Sequence, residues 1–328
     1  MSKQVSYVGI DVGCTELWAA VKGCKPQPFK HTTSGIRALY TWAQKKSGDW
    51  SLCFCMEATG VYSVSVARRL VNLPNSIVCI VNPMQIAAFA KVQLRRCKTD
   101  QIDAQLIRTF AETQKPKAWS PDPKPLRQLY QLVSQADAVR QSLAQWNNRH
   151  HAQKFIADLP EAVKKSQRAI ERSLKRQLEQ IERAITDMCA ADTDLAQKIA
   201  LLCTIPGIAE TSAVRLIAYG RTWLTERKRG ELIAHAGLAP HHKQSGTSVK
   251  GKSRIDKHGD RRLRKTLYMP ALVGAYHNQI LKQFYQRLLK AGKPKMVALV
   301  ACMKKLLLIV RAILITKKPF NPQHYPLT

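Results

Sequence analysis

Short apolar runs alternate with helical patterns over the first third of the 328-residue chain. Tyr7 to Val12 reads as a strand, broken at Gly13 and followed by a second run from Leu17 to Val21. Ile36, Leu39, Tyr40 and Ala43 fall at spacings of three and four, which predicts a helix from Gly35 to Lys46. Leu52 to Met56, a helix over Val61 to Leu73, and the β-branched run Ile77 to Val81 continue the alternation. Strands interleaved with helices predict an α/β layer structure. Asn82-Pro83 ends the last strand, and Thr99 is placed to N-cap a further helix, its hydroxyl accepting a free first-turn amide.

Ser120-Pro-Asp-Pro-Lys-Pro125 is a stiff, extended break. Beyond it Leu129, Val133, Ala136, Val139, Leu143 and Trp146 form one helical stripe. After Pro160, the positions Val163, Ile170, Leu174, Leu178, Ile181, Ile185 and Met188 hold a near-heptad period. Glu171/Lys175 and Glu179/Arg183 stand in the i,i+4 order that supports an exposed helix face. Such a pattern suits either a coiled-coil arm that pairs chains or two helices packed within one subunit. From Leu201 the chain is helical but punctuated by glycine. The expected division is therefore 1–122 (α/β), 123–199 (helical arm) and 200–328 (mainly helical).

Charge changes the picture most. With 53 Lys and Arg against 22 Asp and Glu, the net charge is +31. That excess favours a polyanionic partner, because displacing phosphate counterions drives binding. It is densest from Arg221 to Pro270, where 13 basic residues face four acids. A hydrophobic content of 45% excludes a wholly disordered basic tail. A membrane span is not expected, since Met296 to Ile315 is interrupted by Lys304, Lys305 and Arg311. Nor does the N-terminus read as a secretory signal. The nine cysteines form no C-x-x-C pair and read as reduced, mostly buried thiols of a cytosolic protein, with Cys53 and Cys55 on one strand face.

Four acids stand out against this basic background. Asp11 lies inside an apolar strand, where a carboxylate is costly unless paired or metal-bound. Glu57 directly follows the strand Leu52 to Met56, and Asp100 and Asp103 share one face of a predicted helix. Taken singly, Asp11 suits a turn cap, Glu57 a pairing with Arg68 or Arg69, and Asp100 a helix N-terminus. Taken together, they repel phosphate unless a cation lies between. Carboxylates from two strand ends and one helix face suit hard divalent ions of the kind that assist phosphoryl transfer.

Gln244 to Arg254 is a glycine-punctuated polar loop in which Ser245 beside Gly246 can approach a phosphate closely. Lys243, Lys250, Lys252 and Arg254 flank it, and Lys257, Arg261, Arg262 and Arg264 extend the basic run, all candidates for nucleic-acid contact. On composition alone this is a phosphate-contacting loop. Ile205-Pro-Gly-Ile-Ala-Glu-Thr-Ser-Ala213 suits either a helix-hairpin-helix turn or an ordinary inter-helix turn. His150-His151 and His241-His242 lack zinc spacing and read as surface or DNA-contacting residues.

Gly9-Ile-Asp-Val-Gly13, Met56-Glu-Ala-Thr-Gly60 and Lys98-Thr-Asp-Gln-Ile-Asp-Ala104 resemble the three acidic motifs of the Piv-type insertion-sequence transposases. Thr204-Ile-Pro-Gly-Ile208, His235-Ala-Gly-Leu-Ala-Pro240, Gln244-Ser-Gly246, Arg261-Arg-Leu-Arg264 and Tyr268-Met-Pro-Ala-Leu272 resemble that family's C-terminal motifs, in family order. The resemblance implies an RNase-H-like (RuvC-like) domain whose Asp11, Glu57, Asp100 and Asp103 hold Mg2+ or Mn2+. It also implies a C-terminal transposase domain with Ser245 as the nucleophile, forming a covalent DNA–protein intermediate, with Ser248 and Ser253 the rivals for that role; the central helices match the family only in character. It further implies donor and target DNA, a noncoding bridge RNA, and homodimers assembling into a tetramer with acids and serine from different subunits. The implied location is the cytoplasm of a prokaryotic cell, at the nucleoid. A RuvC-like nuclease using water, or a non-catalytic nucleic-acid-binding protein, are the alternatives.

Overall fold

The computed structural model describes residues 4–94, 99–153, 155–156, 158–241, 244–245, 249–250, 254–256 and 258–324. Of His241, Gln244, Ser245, Val249, Lys250, Arg254 and His324 it describes the backbone alone. The chain forms two compact units, Met1–Pro121 and Asp122–Thr328.

In the first unit the order is β1 (Val5–Val12), β2 (Glu16–Val21), β3 (Gln27–Lys30), α1 (Thr33–Ser47), β4 (Ser51–Glu57), α2 (Val61–Leu70), β5 (Ser76–Val81), α3 (Pro83–Val92) and α4 (Asp100–Gln114). The strands form one five-stranded sheet in the order β3-β2-β1-β4-β5. β1 runs antiparallel to β2 and parallel to β4, and β4 is parallel to β5. The mixed α/β architecture expected from the alternation is therefore present. β4 is buried at six of its seven positions, as a strand covered on both faces should be.

Side-chain alternation sorts the sheet into two cores. Val8, Ile10, Leu52, Phe54 and Met56 face Ile36 and Leu39 of α1 and Val66 and Leu70 of α2. Val5, Tyr7, Cys53, Cys55 and Cys79 face Ile86 of α3 and Leu106, Ile107 and Phe110 of α4. Cys53 and Cys55 thus share a face, and the thiols of Cys53 and Cys79 lie 3.7 Å apart. Two elements differ from the sequence expectation. Asn82 does not merely stop β5; its side chain caps the amide of Met84, and Pro83 opens α3. β3 is a further strand, at the sheet edge and largely exposed.

The second unit is helical. It comprises α5 (Lys124–Gln153), α6 (Glu161–Ala191), α7 (Thr193–Cys203), α8 (Glu210–Gly220), α9 (Trp223–Glu226), α10 (Arg229–His235), α11 (Arg261–His277), α12 (Gln279–Lys290) and α13 (Lys295–Thr316). Between α10 and α11 lie four two-residue strands: β6 (Pro240–His241), β7 (Gln244–Ser245), β8 (Val249–Lys250) and β9 (Arg254–Ile255). α13 is apolar nearly all round because it is the core helix, packed against α7, α11 and α12. Leu126, Leu129 and Val133 of α5 join the same core, so the arm and the C-terminal helices are one compact unit.

Along α6 the near-heptad stripe is half-buried against α5, with Val163 and Ile170 exposed. Glu171 pairs with Lys175 at 2.7 Å, and Glu182 reaches Arg140 of α5 at 2.5 Å. The turn between α7 and α8 buries Ile205 and Ile208, and its Gly207 (φ +104°) has no room for a side chain. A Cβ there would lie 2.8 Å from the carbonyl of Pro270 and 2.9 Å from the amide of Gly274, both in α11. Among the described residues no helix is long and apolar enough to cross a membrane.

Candidate functional site

The acidic centre follows from strand alternation and one glycine. On β1, Tyr7, Gly9 and Asp11 point to the α4 side of the sheet. A Cβ on Gly9 would stand 2.1 Å from the carbonyl oxygen of Ala104 and 2.3 Å from the amide of Arg108. Gly9 therefore allows α4 to lie against β1 at backbone distance. β4 runs beside β1 in register, its last paired position being Met56 opposite Ile10. One residue further along each strand come Glu57 and Asp11. Glu57 falls on the same face as Cys53 and Cys55, the face that α4 covers.

The helix end that meets them is capped as its sequence predicts. Thr99 accepts the amide of Ile102 at 3.3 Å, and Asp100 and Asp103 occupy the first turn of α4. Asp11 on β1 thus lies in the field of three further carboxylates, one from β4 and two from α4. Burial, followed by the charges of Asp100, Asp103 and Glu57, pushes the Asp11 carboxyl up to about 6, partly offset by the backbone amide of Val12. Among the described residues no three His, Cys, Asp or Glu side chains stand at metal-ligand spacing. The acids share a field without forming a closed cage.

That field fits a hard dication. All four donors are carboxylate oxygens, the ligands Mg2+ and Mn2+ take. The repulsion holding a proton on Asp11 is what a cation would relieve. At the rim, His31 is held by Nδ1 against the carbonyl of Gly13 at 2.8 Å, and its ring meets the edge of Tyr62.

In the second unit, the backbone of Ser245 lies in β7, paired antiparallel to β8, with Ser245 opposite Val249. β6 and β9 close the base of this segment, with Pro240 opposite Ile255. Lys243, Lys252, Lys257, Gly246, Ser248, Ser253 and His242 lie outside the described residues, as does Lys98. Lys250 and Arg254 are placed by backbone alone in β8 and β9.

The base of the loop is anchored by contacts that the linear sequence conceals. Gly237 (φ +64°) and Gly259 meet so closely that a Cβ on Gly259 would stand 2.2 Å from the amide nitrogen of Gly237. Asp256 donates its amide to Ala239 at 2.8 Å, and Asp260 donates its own to His235 at 2.6 Å. The Asp260 side chain then caps α11 through the amides of Arg262 and Leu263. His235 stacks on Trp223 with ring centroids 4.1 Å apart, and burial holds its pKa below the usual histidine range. The sequence reading passed over the Asp260 cap, for which an Asp ahead of a helical run is the local signal; the glycine contact and the stacked pair leave none.

The basic candidates divide by what they touch. Arg262 donates to the hydroxyls of Tyr130 (3.0 Å) and Ser134 (2.7 Å), and Arg264 donates to the carbonyl of Ala236 at 3.1 Å. Both guanidiniums, expected on phosphate, are bonded to groups of this chain, Arg264 at a half-buried position and Arg262 at an exposed one. Arg261 is exposed at the start of α11. Sequence reasoning also passed over Asp137, which accepts from Arg140 (2.8 Å), Arg215 (2.6 Å) and Tyr219 (2.7 Å), and Asp122, which holds Arg221 and Thr222. These acids are structural. His151 packs its ring edge-on to Phe155.

Strand-end and helix-end acids in a strongly basic chain suit chemistry on a polyanion, and comparison with known proteins gives the class, an enzyme that acts on DNA. Residues 8–153 match the transposase family DEDD_Tnp_IS110, and residues 199–286 match the family described as Transposase IS116/IS110/IS902. The chain belongs to the IS110/IS116/IS902 transposases, a transposase/recombinase family. It is similar to the pilin gene-inverting protein of Moraxella bovis, 29% identical over 329 residues that cover 98% of each chain. The pilin gene-inverting protein of Moraxella lacunata is similar to the same degree and over the same coverage.

Proposed function

We propose that this chain is the recombinase of an insertion sequence, cutting and rejoining DNA strands with an RNase-H-like acidic centre and Ser245 as nucleophile. The carrying observation is Asp11, a strand-end carboxyl that burial and three other acids hold up to about 6 in a chain of net charge +31. A protein that only bound nucleic acid would gain nothing from that concentration of negative charge. The strand order β3-β2-β1-β4-β5, with acids at the ends of β1 and β4, supports the RNase-H-like assignment.

Asp11, Glu57, Asp100 and Asp103 would hold Mg2+ or Mn2+. Bound there, the ion supplies charge stabilisation to a phosphoryl group in transfer. Ser245 Oγ attacks the phosphorus, forming a serine–phosphate ester as the bond to the 3′ oxygen breaks. The hydroxyl proton ends on that 3′ oxygen. Attack by the 3′ hydroxyl of another strand reverses the step, so phosphodiesters are conserved and no nucleotide cofactor is consumed. The glycine and asparate contacts at Gly237, Gly259 and Asp260 steady the base of the serine loop. Donor and target DNA are the substrates, a noncoding bridge RNA the guide, and a homodimer assembling into a tetramer the working form. The exposed Val163 and Ile170 of α6 support pairing through the helical arm.

The test is recombination on DNA carrying the element ends, with protein recovered under denaturing conditions. Wild type should leave protein covalently attached to cleaved DNA; Ser245→Ala should abolish attachment and Asp11→Ala should abolish cleavage. Cleavage persisting in Ser245→Ala would assign water as nucleophile. Wild-type exchange by either variant would remove that residue from the catalytic list, and absence of metal-dependent cleavage by the wild type would leave a binding protein only.

A further inference from the structure

α11 turns one clean face to solvent. Its buried arc is Leu263, Leu267, Pro270, Ala271, Gly274 and Ala275, which pack into the core of the second unit. The opposite arc is a single stripe at helical spacing: Arg261, Lys265, Tyr268, Met269, Val273 and Tyr276. Its first turn is cationic, with Arg262 also exposed there but bonded to Tyr130 and Ser134, and the rest is apolar. Tyr276 is 62% exposed, Met269 57%, Val273 39% and Tyr268 37%. Large apolar and aromatic side chains in such a row usually mark a surface that binds something.

Charge decides what binds. From residue 261 to 328 the chain carries 14 Lys and Arg and not one Asp or Glu. A second copy of the same segment would bring like charges together. An anionic polymer is complementary, and one with exposed bases also satisfies the tyrosines, since every base has a face that stacks on an aromatic ring. The two tyrosines are eight residues apart, about 12 Å along the helix axis, far enough to take two separate bases of one strand. Paired bases inside a duplex present no such faces.

The floor between the tyrosines selects the sugar. Met269 and Val273 offer nothing to hydrogen-bond a ribose 2′-hydroxyl, which would be desolvated there without a partner. A thymine methyl, by contrast, gains apolar contact. We propose that this face of α11 docks an unpaired DNA strand, with Arg261 and Lys265 on its phosphates and Tyr268 and Tyr276 stacked on its bases. The choice of DNA rests on the proposed function; the stacking surface itself does not.

The experiment is fluorescence anisotropy with the full chain carrying Ser245→Ala, so that binding is read without cleavage. The probes are a labelled oligothymidine of about 20 nucleotides, an oligouridine of the same length, and a duplex of matched length. Tyr268→Ala/Tyr276→Ala should weaken oligothymidine binding about tenfold or more and change duplex binding little. Tyr268→Phe/Tyr276→Phe should restore it, because the stacking face remains. Thermal unfolding of the variants should match that of the parent, as both rings are exposed. Unchanged oligothymidine affinity, or an equal loss on duplex, overturns the proposal. Tighter parent binding to oligouridine than to oligothymidine overturns the assignment to DNA, and a changed solution mass with unchanged DNA affinity makes the face a protein interface. Because the assay needs no strand exchange, failure of the recombinase reading and failure of this one are separable.

Discussion

At Asp11 the acidic centre works against the stability of the chain that carries it. Its carboxyl is raised from 3.8 to about 6, first by burial and then by Asp100, Asp103 and Glu57. Between those values the folded chain keeps a proton that the unfolded chain has lost, so folding stability falls as pH rises through this window. Above it the penalty is complete, and it falls short of the ~3 kcal/mol that a fully buried shift of this size would cost, because solvent screens a partly exposed carboxyl. Asp11→Asn should therefore raise the melting temperature of metal-free protein at pH 8 and leave it nearly unchanged at pH 4. A divalent cation added at pH 8 should stabilise wild type more than the variant, since it relieves the repulsion that the variant already lacks. Thermal unfolding with chelator and with cation reads both effects. An equal shift at the two pH values would mean that the side chain matters only for packing.

β1 and α4 meet where Gly9 leaves no side chain, and that contact brings the Asp100–Asp103 turn to the strand ends. Gly9→Ala puts a Cβ 2.1 Å from the Ala104 carbonyl, which is backbone and moves only with its helix. Overpacking of this kind costs about 1–3 kcal/mol. The expected outcome is a lowered denaturant midpoint together with lost DNA cleavage and retained DNA binding, because the basic half of the chain is untouched. Retained cleavage would show that α4 need not lie so close. The acids were legible in the sequence because each sits at the end of a patterned element, and strand alternation then dictates the face. Gly9 carried no such signal; its reason is a helix about a hundred residues downstream, as the reason for Gly237 is Gly259. β3 escaped notice because Gln-Pro-Phe-Lys on an exposed edge has no buried alternation, and α3 because Asn82-Pro83 serves as readily for a helix start as for a strand end. The α6 stripe stayed ambiguous for a further reason: half-burial against α5 leaves enough apolar surface for either partner.

Over the molecule as a whole, a net charge of +31 predicts binding dominated by phosphate, and the fold says which cations should count. Each neutralised phosphate contributes a slope of about −0.9 to log affinity against log salt on duplex DNA, so six to ten contacts cost roughly three to five orders of magnitude between 50 and 200 mM. Arg262 and Arg264 are bonded to Tyr130, Ser134 and Ala236, so their removal should fall mainly on stability. Arg261 and Lys265 stand exposed on α11 in a segment without a single acid. Arg261→Gln/Lys265→Gln should leave unfolding nearly unchanged and make the salt slope shallower by about one to two. Arg262→Ala should do the reverse, lowering the melting temperature while the slope holds. Oligothymidine affinity measured across that salt range, where each phosphate contributes a slope of about −0.7, beside thermal unfolding of the same three proteins, reads both quantities. If Arg262→Ala flattens the slope as much as the surface pair does, the guanidinium must leave Tyr130 and Ser134 to reach phosphate, and the division between structural and binding cations drawn from the hydrogen bonds fails.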